Sequence, residues 1–305
     1  MATAVQMQVT IVLALQGEDV SEARDPLSET AKETAGTDVS RFNAALRDVQ
    51  DDLVPVQAHG IIELRNMVLA KSRAVLESSE RLDATIGVFV DKVKSADSFV
   101  YLNAVRGLSA LADAHGRRFI PRLVEMYQNT DFQLDEQLRV GEALMQSIQR
   151  AGEMLPEYAP LFVPQLLAIV QTANTEDEQQ KAMEEEVVVV RAHSALSILA
   201  AAAQTSALAL NRWMDLIAAT VDGILLLVES SAVELRRAAV VFWVSLLRGF
   251  GSRLVELVDM GILRQMHRSL RRISDSDAED ELTQMHAQVG VEELDDAVKA
   301  HLFLP

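Results

Sequence analysis

Cysteine is absent from this chain of 305 residues, and aromatic residues make up only 5% of it. The lack of cysteine excludes a disulfide framework and thiolate metal sites, and it favours a reducing compartment. Glycine and proline are also scarce, at 13 and 7 positions, whereas 49% of the residues are apolar. Many of these are Ala, Leu and Val, which suit helices packed directly on one another because small side chains let helix axes approach closely.

Basic residues are outnumbered by acidic ones, and the formal net charge is −17. A chain this acidic is repelled by phosphate backbones, so we expect no direct contact with nucleic acid. Basic segments of protein partners are the more plausible ligands, although acidity can also serve solubility alone.

The chain also lacks a convincing secretory signal or membrane span. The segment Val5–Leu15 is apolar. A signal peptide would have Lys or Arg before such a segment, and none is present here. The longest apolar windows, Val187–Ala203 and Leu208–Val228, are interrupted by charged residues such as Arg191 and Asp222. Charges at the centre of a spanning helix are costly, so these windows are interpreted as buried helices of a soluble fold and no membrane span is predicted.

A short pattern of apolar, polar and small residues recurs five times. The third residues of successive copies are 36 to 52 residues apart. A recurrence near 40–47 residues is typical of HEAT and armadillo repeats, which stack helix pairs into a solenoid. We therefore predict an all-α, HEAT/armadillo-like α-solenoid, a superhelix of about five antiparallel helix pairs. The five copies are Val56–Ile62, Leu102–Leu108, Leu138–Leu144, Val190–Leu196 and Leu235–Val241.

Composition shifts divide the chain into six parts. Asp38 is the expected N-cap of the first regular helix, and the last helix is expected over Val291–Leu302. The predicted parts are a helix from a truncated upstream repeat (1–16), an acidic linker (17–38), a first block of HEAT-like repeats (39–174), an acidic loop (175–186), a second block of repeats (187–274), and an acidic segment with a terminal helix (275–305).

Motifs of catalysis are missing. The sequence has no phosphate-binding glycine loop, no nucleophile elbow and no HExxH motif. We therefore predict no enzyme activity, no cofactor and no metal site. His59 and His193 occupy matching repeat positions, which fits either two equivalent functional imidazoles or two packing histidines bonded to backbone carbonyls. The periodic placement favours packing.

An arginine cluster and an acidic run lie close together near the end of the chain. The run Asp275–Glu281 lacks the glycine and the twelfth-position glutamate of a calcium loop, so it is interpreted as a solvated charge run. The arginines either hold an anionic partner or pair with this acidic run, and the short separation in sequence favours pairing. The cluster consists of Arg264, Arg268, Arg271 and Arg272.

The acidic loop is the best candidate for a partner-binding site. It interrupts the repeat spacing, and insertions between repeats often fall on the binding face. A solvated spacer is the alternative. The candidate residues are Glu176, Asp177, Glu178, Glu184, Glu185 and Glu186.

Three stretches carry a family resemblance: Asp52–Arg65, Asp97–Asp113 and Leu235–Gly249. They resemble the C-terminal HEAT-like region of the Transport and Golgi organization protein 6 family, whose fungal members are known as the factor required for nuclear transport of RNA polymerase II. The resemblance is close over Leu53–Tyr127 and looser over Val187–Ile273.

The resemblance implies a cytoplasmic scaffold, able to shuttle to the nucleus, that helps assembled RNA polymerase II reach that compartment. RNA polymerase II subunits and importins are the implied partners, with no cofactor. The same family also implies an alternative, a trafficking scaffold of the secretory pathway that acts in Golgi organisation and protein secretion.

Overall fold

The computed structural model describes residues 26–173, 185–227 and 233–303, and within these ranges every regular element is helical. The first seven α-helices are α1 (Pro26–Val49), α2 (Val54–Leu69), α3 (Arg73–Leu76), α4 (Ser79–Val93), α5 (Ser98–Ala114), α6 (Gly116–Gln128) and α7 (Leu134–Arg150). They are followed by α8 (Leu155–Thr172), α9 (Glu185–Ser206), α10 (Met214–Leu226), α11 (Val233–Phe250), α12 (Leu254–Leu257), α13 (Met260–Ser274) and α14 (Glu281–Phe303).

The longer helices form two rows. In the motif row, α2, α5, α7, α9, α11 and α14 each pack on the next. The flanking row holds α1, α4, α6, α8, α10 and α13, and each of these packs on the motif-row helix that follows it in sequence. One apolar core runs from Phe42 to Leu294 between the rows. The all-α solenoid is confirmed, and its described part contains six helix pairs, one more than the repeated pattern predicts.

A small buried residue marks each motif-row helix. These residues are Gly60, Gly107, Ala143, Ala195, Ala239 and Gly290, and a buried aliphatic residue follows each of them. The five sequence copies were aligned on their third residues. Relative to the small buried residue, that alignment is one position out of register in the first and fifth copies. It also omits the sixth copy, which lies in α14.

Close helix approach explains the small residue. A Cβ atom on Gly60 would lie 2.5 Å from the Ala45 carbonyl oxygen and 2.7 Å from the Val49 nitrogen of α1. Both atoms belong to backbone, which cannot move aside as a flexible side chain can. On Gly107, the same Cβ would lie 2.5 Å from the Phe89 ring of α4. Because the helices approach so closely at these glycines, the contacts fix the position of each flanking-row helix against its motif-row neighbour.

A matched pair of glycine substitutions tests this packing. We expect Gly60→Ala to lower the melting temperature, because overpacking costs about 1–3 kcal/mol and outweighs the gain of roughly 1 kcal/mol from helix propensity. Gly87 lies inside α4, where an added Cβ atom would have no neighbour within 4 Å, so Gly87→Ala should instead raise the melting temperature. Thermal unfolding followed by circular dichroism measures both. A stabilised Gly60→Ala variant would contradict the close approach of α1 and α2.

The linker prediction is wrong for residues 26–38, whose backbone belongs to α1. The polar composition of this segment indicated a linker, but Ala, Glu and Lys are strong helix formers even without an apolar face. Asp38 is not an N-cap. Its carboxylate accepts a hydrogen bond of 2.7 Å from the Ser72 hydroxyl, and it lies 3.7 Å from a guanidinium nitrogen of Arg41. Residues 1–25, which include the predicted upstream helix, lie outside the described part of the chain.

The terminal segment is not a separate part. Helix α14 begins at Glu281, ten residues before the predicted start, and it packs on α11 and α13 as the last motif-row helix. Asp280 caps it: its carboxylate accepts a hydrogen bond of 2.6 Å from the Thr283 hydroxyl and another of 3.1 Å from the Thr283 backbone N–H. The Thr283 hydroxyl and then Arg237 hold the pKa of Asp280 well below its usual range.

Two stretches, Val187–Leu226 and Val233–Leu257, are long and apolar enough to cross a membrane by length and composition alone. Within the solenoid, 50% and 61% of their most apolar windows are buried. Core helices of a soluble repeat protein have the same character, because both of their neighbours along the row must be covered.

Candidate functional site

The acidic residues proposed as a binding site fall mostly outside the described residues. Glu176, Asp177, Glu178 and Glu184 lie in the segment between α8 and α9 that the structure does not describe. Glu185 and Glu186 belong to the backbone of the first turn of α9, so the predicted loop is shorter than proposed at this end. Whether the six carboxylates act together stays a prediction.

A groove lies beside the helix ends that flank this segment. Its larger part, of about 540 Å³, separates α6 from α8, and its smaller part, of about 230 Å³, reaches the start of α9. Gln128 lines both parts, so we treat them as one surface, the α6–α8 groove. The other lining residues are Pro121, Val124, Glu125, Asn129, Leu161 and Gln165 in the larger part, and Ala168, Ile169, Thr172, Val188 and Arg191 in the smaller part.

Two polar atoms of this groove are buried without a hydrogen-bond partner in the described part of the chain. They are Oε1 of Gln165, an acceptor, and Nε of Arg191, a donor. A buried polar atom left unpaired costs about 1–3 kcal/mol. Both atoms are closed to solvent, so a ligand in the groove meets them only after the side chains that cover them move aside.

Tyr127 holds the wall of the groove in place. Its ring is buried, and its hydroxyl donates a hydrogen bond of 3.2 Å to the Arg191 carbonyl oxygen, which joins α6 to α9. Burial raises the pKa of the Tyr127 hydroxyl. A neutral phenol bonded to a backbone carbonyl fixes helix positions and provides no nucleophile.

A second groove, of about 390 Å³, lies around Asp113 and Arg150. Nε of Arg150 lies 2.8 Å from the Asp113 carboxylate, which ties α7 to α5. Burial raises the pKa of Asp113, and Arg150 partly opposes that effect. Ser147 also lines the groove, but its hydroxyl donates to the Ala143 carbonyl oxygen at 2.9 Å. The Asp113–Arg150 pair holds two helices together and the Ser147 hydroxyl is bonded within its own helix, so no nucleophile paired with a base is found in this groove.

The histidines of the described residues do not form a centre, and no group of three or more His, Asp or Glu side chains there could hold a metal ion. His59 is exposed, and its Nδ1 lies 2.9 Å from the Asp48 carboxylate of α1. The prediction that His59 bonds a backbone carbonyl is therefore wrong, because the position after Ala58 faces solvent and the nearest acceptor is a side chain. His193 is half-buried in α9.

The predicted pairing of the arginine cluster with the acidic run is also wrong. Glu279 and Asp280 each lie 2.7 Å from guanidinium groups of α11, those of Arg236 and Arg237. Because α14 packs against α11, the start of α14 lies beside arginines that are more than 40 residues away in sequence. Arg272 of the cluster instead donates a hydrogen bond of 2.6 Å to the Leu225 carbonyl oxygen at the end of α10.

The solved structures that resemble this chain include two of low identity. A crystal structure of an engineered protein covers 84% of this chain and 97% of its own, at 18% identity and a TM-score of 0.48. A designed armadillo repeat protein, YIII(Dq)4CqI, covers 85% and 98%, at 13% identity and a TM-score of 0.46.

Two fungal relatives match part of the sequence. The RNA polymerase II assembly factor RTP1 of Saccharomyces cerevisiae is 32% identical over 136 residues, which are 44% of this chain and 13% of the relative. The RNA polymerase II assembly factor rtp1 of Schizosaccharomyces pombe is 28% identical over 156 residues, or 49% of this chain and 20% of the relative. The chain therefore spans a fifth or less of the length of these relatives.

The matched region coincides with the first repeats. Residues 42–154 match the family described as "Required for nuclear transport of RNA pol II C-terminus 1". This range runs from the buried Phe42 of α1 to the end of the turn after α7. The family and both relatives carry the polymerase name, and none of the three carries the name Transport and Golgi organization protein 6. The first block of helix pairs is thus similar to the C-terminal region of a family required for nuclear transport of RNA polymerase II.

Proposed function

We propose that this chain is a non-enzymatic α-solenoid scaffold that acts in the assembly and nuclear import of RNA polymerase II. The observation that carries the proposal is the match of residues 42–154 to that family, together with two assembly factors that are similar over 136 and 156 residues. A row of stacked helix pairs suits this role, because it offers an extended surface to a large partner. Neither the structure of the described residues nor the similar proteins favour the alternative, a trafficking scaffold of the secretory pathway.

The proposal extends to partners and location. RNA polymerase II subunits are the direct partners, and importins join through the assembled complex. The protein works in the cytoplasm and accompanies its cargo to the nucleus. Docking uses the faces between repeats, among them the α6–α8 groove.

Affinity capture tests the function. The tagged chain is incubated with cell extract, and captured proteins are identified by mass spectrometry. Enrichment of RNA polymerase II subunits over an unrelated designed armadillo protein is the expected result. In cells depleted of the protein, the largest polymerase II subunit should accumulate in the cytoplasm. A well-folded chain that captures no polymerase subunit, with normal nuclear polymerase after depletion, would overturn the proposal.

A salt series tests the acidic segment within this function. If the six carboxylates attract basic partner segments, capture should fall as salt rises, because exposed charges are screened beyond about 8–10 Å at physiological ionic strength. Replacing the six acids by Gln and Asn should weaken capture at low salt and flatten the salt dependence. The matched control neutralises six exposed acids spread over the molecule, which are Asp52, Asp83, Asp131, Glu153, Asp215 and Asp277.

Equal effects of the two sets would attribute the attraction to net charge alone. Equal capture at all salts by all three proteins would exclude electrostatic attraction and leave the α6–α8 groove as the docking surface.

A further inference from the structure

Helix α13 is basic in an acidic protein. Between Met260 and Ser274 it carries four arginines and one histidine, and it has no Asp or Glu. The whole chain has a formal net charge of −17. A helix of this composition is a local reversal of the charge of the molecule.

Three of the arginines form one line on the surface. Arg264, Arg268 and Arg271 are all exposed, and their spacing of four and three residues places them on one face of the helix. The buried residues of α13, which include Leu263, Met266 and Leu270, lie on the opposite face. We call these three residues the α13 arginine stripe. It faces solvent over eight residues, and its ends are about 10 Å apart along the helix.

Four acidic residues close to α13 in sequence or on the neighbouring α10 are engaged elsewhere. Glu279 and Asp280 are held by Arg236 and Arg237 of α11. Asp259 caps α13 by accepting a hydrogen bond of 2.6 Å from the Gly261 backbone N–H. Asp222 of the neighbouring α10 accepts one of 2.6 Å from the Gln265 amide. Within the described residues, no carboxylate lies within ion-pair distance of a guanidinium group of the stripe.

The stripe is not explained by the stability of the helix. Like charges three and four residues apart repel one another, so the arrangement disfavours α13. Arg271 gains from its place near the negative C-terminal end of the helix dipole, but Arg264 lies in the second turn and gains nothing from it. The only hydrogen bond described for a stripe side chain is from Nε of Arg268 to the Arg264 carbonyl oxygen, at 3.3 Å. In the part of the chain that the structure describes, the terminal guanidinium nitrogens of the three residues are therefore open to solvent or to a ligand outside the chain.

We infer that the α13 arginine stripe docks a carboxylate-rich segment of a partner protein. Guanidinium groups bind carboxylates through paired N–H···O bonds, which favours Asp and Glu side chains spaced three or four apart on a partner helix. The exposed Met260 lies in α13 one turn before Arg264, and it would cover the apolar flank of such a helix. The inference stands apart from the proposed function, because it requires an acidic segment and not a polymerase subunit.

Protein is favoured over nucleic acid by the charge of the molecule. A phosphate backbone would meet three cations here and a net negative charge over the rest of the molecule as a whole, which opposes long-range attraction. A short acidic segment is repelled less, because it carries fewer charges and contacts only the stripe.

The test uses the full chain and a defined probe. The probe is a fluorescein-labelled helical peptide of twelve residues with glutamates spaced three and four apart, and binding is measured by fluorescence anisotropy at low and moderate salt. Replacing the three stripe arginines by Gln should weaken binding about tenfold, as three exposed ion pairs of up to about 1 kcal/mol each allow. A control triple variant removes the same charge at the exposed Arg118, Arg122 and Arg212 and should change binding less than about twofold.

The folding of both triple variants is verified by thermal melting. Loss of like-charge repulsion should leave the melting temperature of the stripe variant unchanged or higher. The inference is overturned if the unaltered chain does not bind the peptide at low salt or if both triple variants lose binding equally. Tighter binding of a short duplex DNA than of the peptide would also overturn it, because the stripe would then be a phosphate site.

Discussion

Arg236→Met is expected to destabilise the C-terminal repeats by about 3–5 kcal/mol, because it removes one partner of a buried ion pair. In the fold, the side chains of Arg236 and Glu279 are only 4% and 7% exposed, and they lie 2.7 Å apart. Nη1 of Arg236 also donates a hydrogen bond of 3.0 Å to the Leu227 carbonyl oxygen at the end of α10. Methionine would leave the Glu279 carboxylate buried without a counter-charge and the carbonyl without this donor.

Two further variants separate burial from charge. The neighbouring pair, Arg237 and Asp280, has side chains that are 32% and 37% exposed. Arg237→Met should therefore lower the free energy of unfolding by no more than about 1 kcal/mol. The double variant Arg236→Met, Glu279→Leu removes both charges and should recover most of the loss, since apolar side chains of similar size often replace a buried pair without penalty. Urea denaturation measures all three. Equal losses for the two single arginine variants would show that the Arg236 pair is not sealed from water.

The helix pairs could be predicted from sequence because their signals are local. The Asp97 cap is one example: its carboxylate accepts hydrogen bonds of 2.8 Å and 3.2 Å from the backbone N–H groups of Phe99 and Val100. Asp followed by an apolar helical pattern indicates such a cap, but the same signal fails at Asp38, which lies inside α1. The small residue of each repeat can also be recognised in the sequence. Its exact position in the repeat cannot, because that depends on which side of the helix packs against the flanking row.

Long-range pairing could not be predicted in the same way. The arginine cluster lies next to the acidic run in sequence, but Glu279 is buried against Arg236 because α14 packs on α11. The buried face of α14 includes Thr283 and Gly290. From sequence alone these residues indicate a polar segment, because their burial depends on the neighbouring helices. The unpaired atoms of Gln165 and Arg191 have no sequence signal either, because they depend on how α6, α8 and α9 meet.

The other large effect is expected from Ala104→Glu in the middle of the first block. Ala104 is fully buried in α5, which packs on α2, α4 and α7. A glutamate there adds volume to a filled contact, at about 1–3 kcal/mol, and buries a carboxylate or forces it to take up a proton, at a further cost of several kcal/mol. The matched control is Arg106→Glu on the exposed face of the same helix, which should change stability by no more than about 0.5 kcal/mol.

The pattern of unfolding is as informative as its extent. In a solenoid each repeat contacts mainly its neighbours, so the damage should stay local. We expect hydrogen exchange of Ala104→Glu to show lost protection in α2, α4, α5 and α7, with protection retained in α11, α13 and α14. Circular dichroism should then show partial loss of helix and a lower first melting transition. Uniform loss of protection over the whole chain would mean that the rows fold as one cooperative core, and an unchanged melting curve would place Ala104 outside the helix contact.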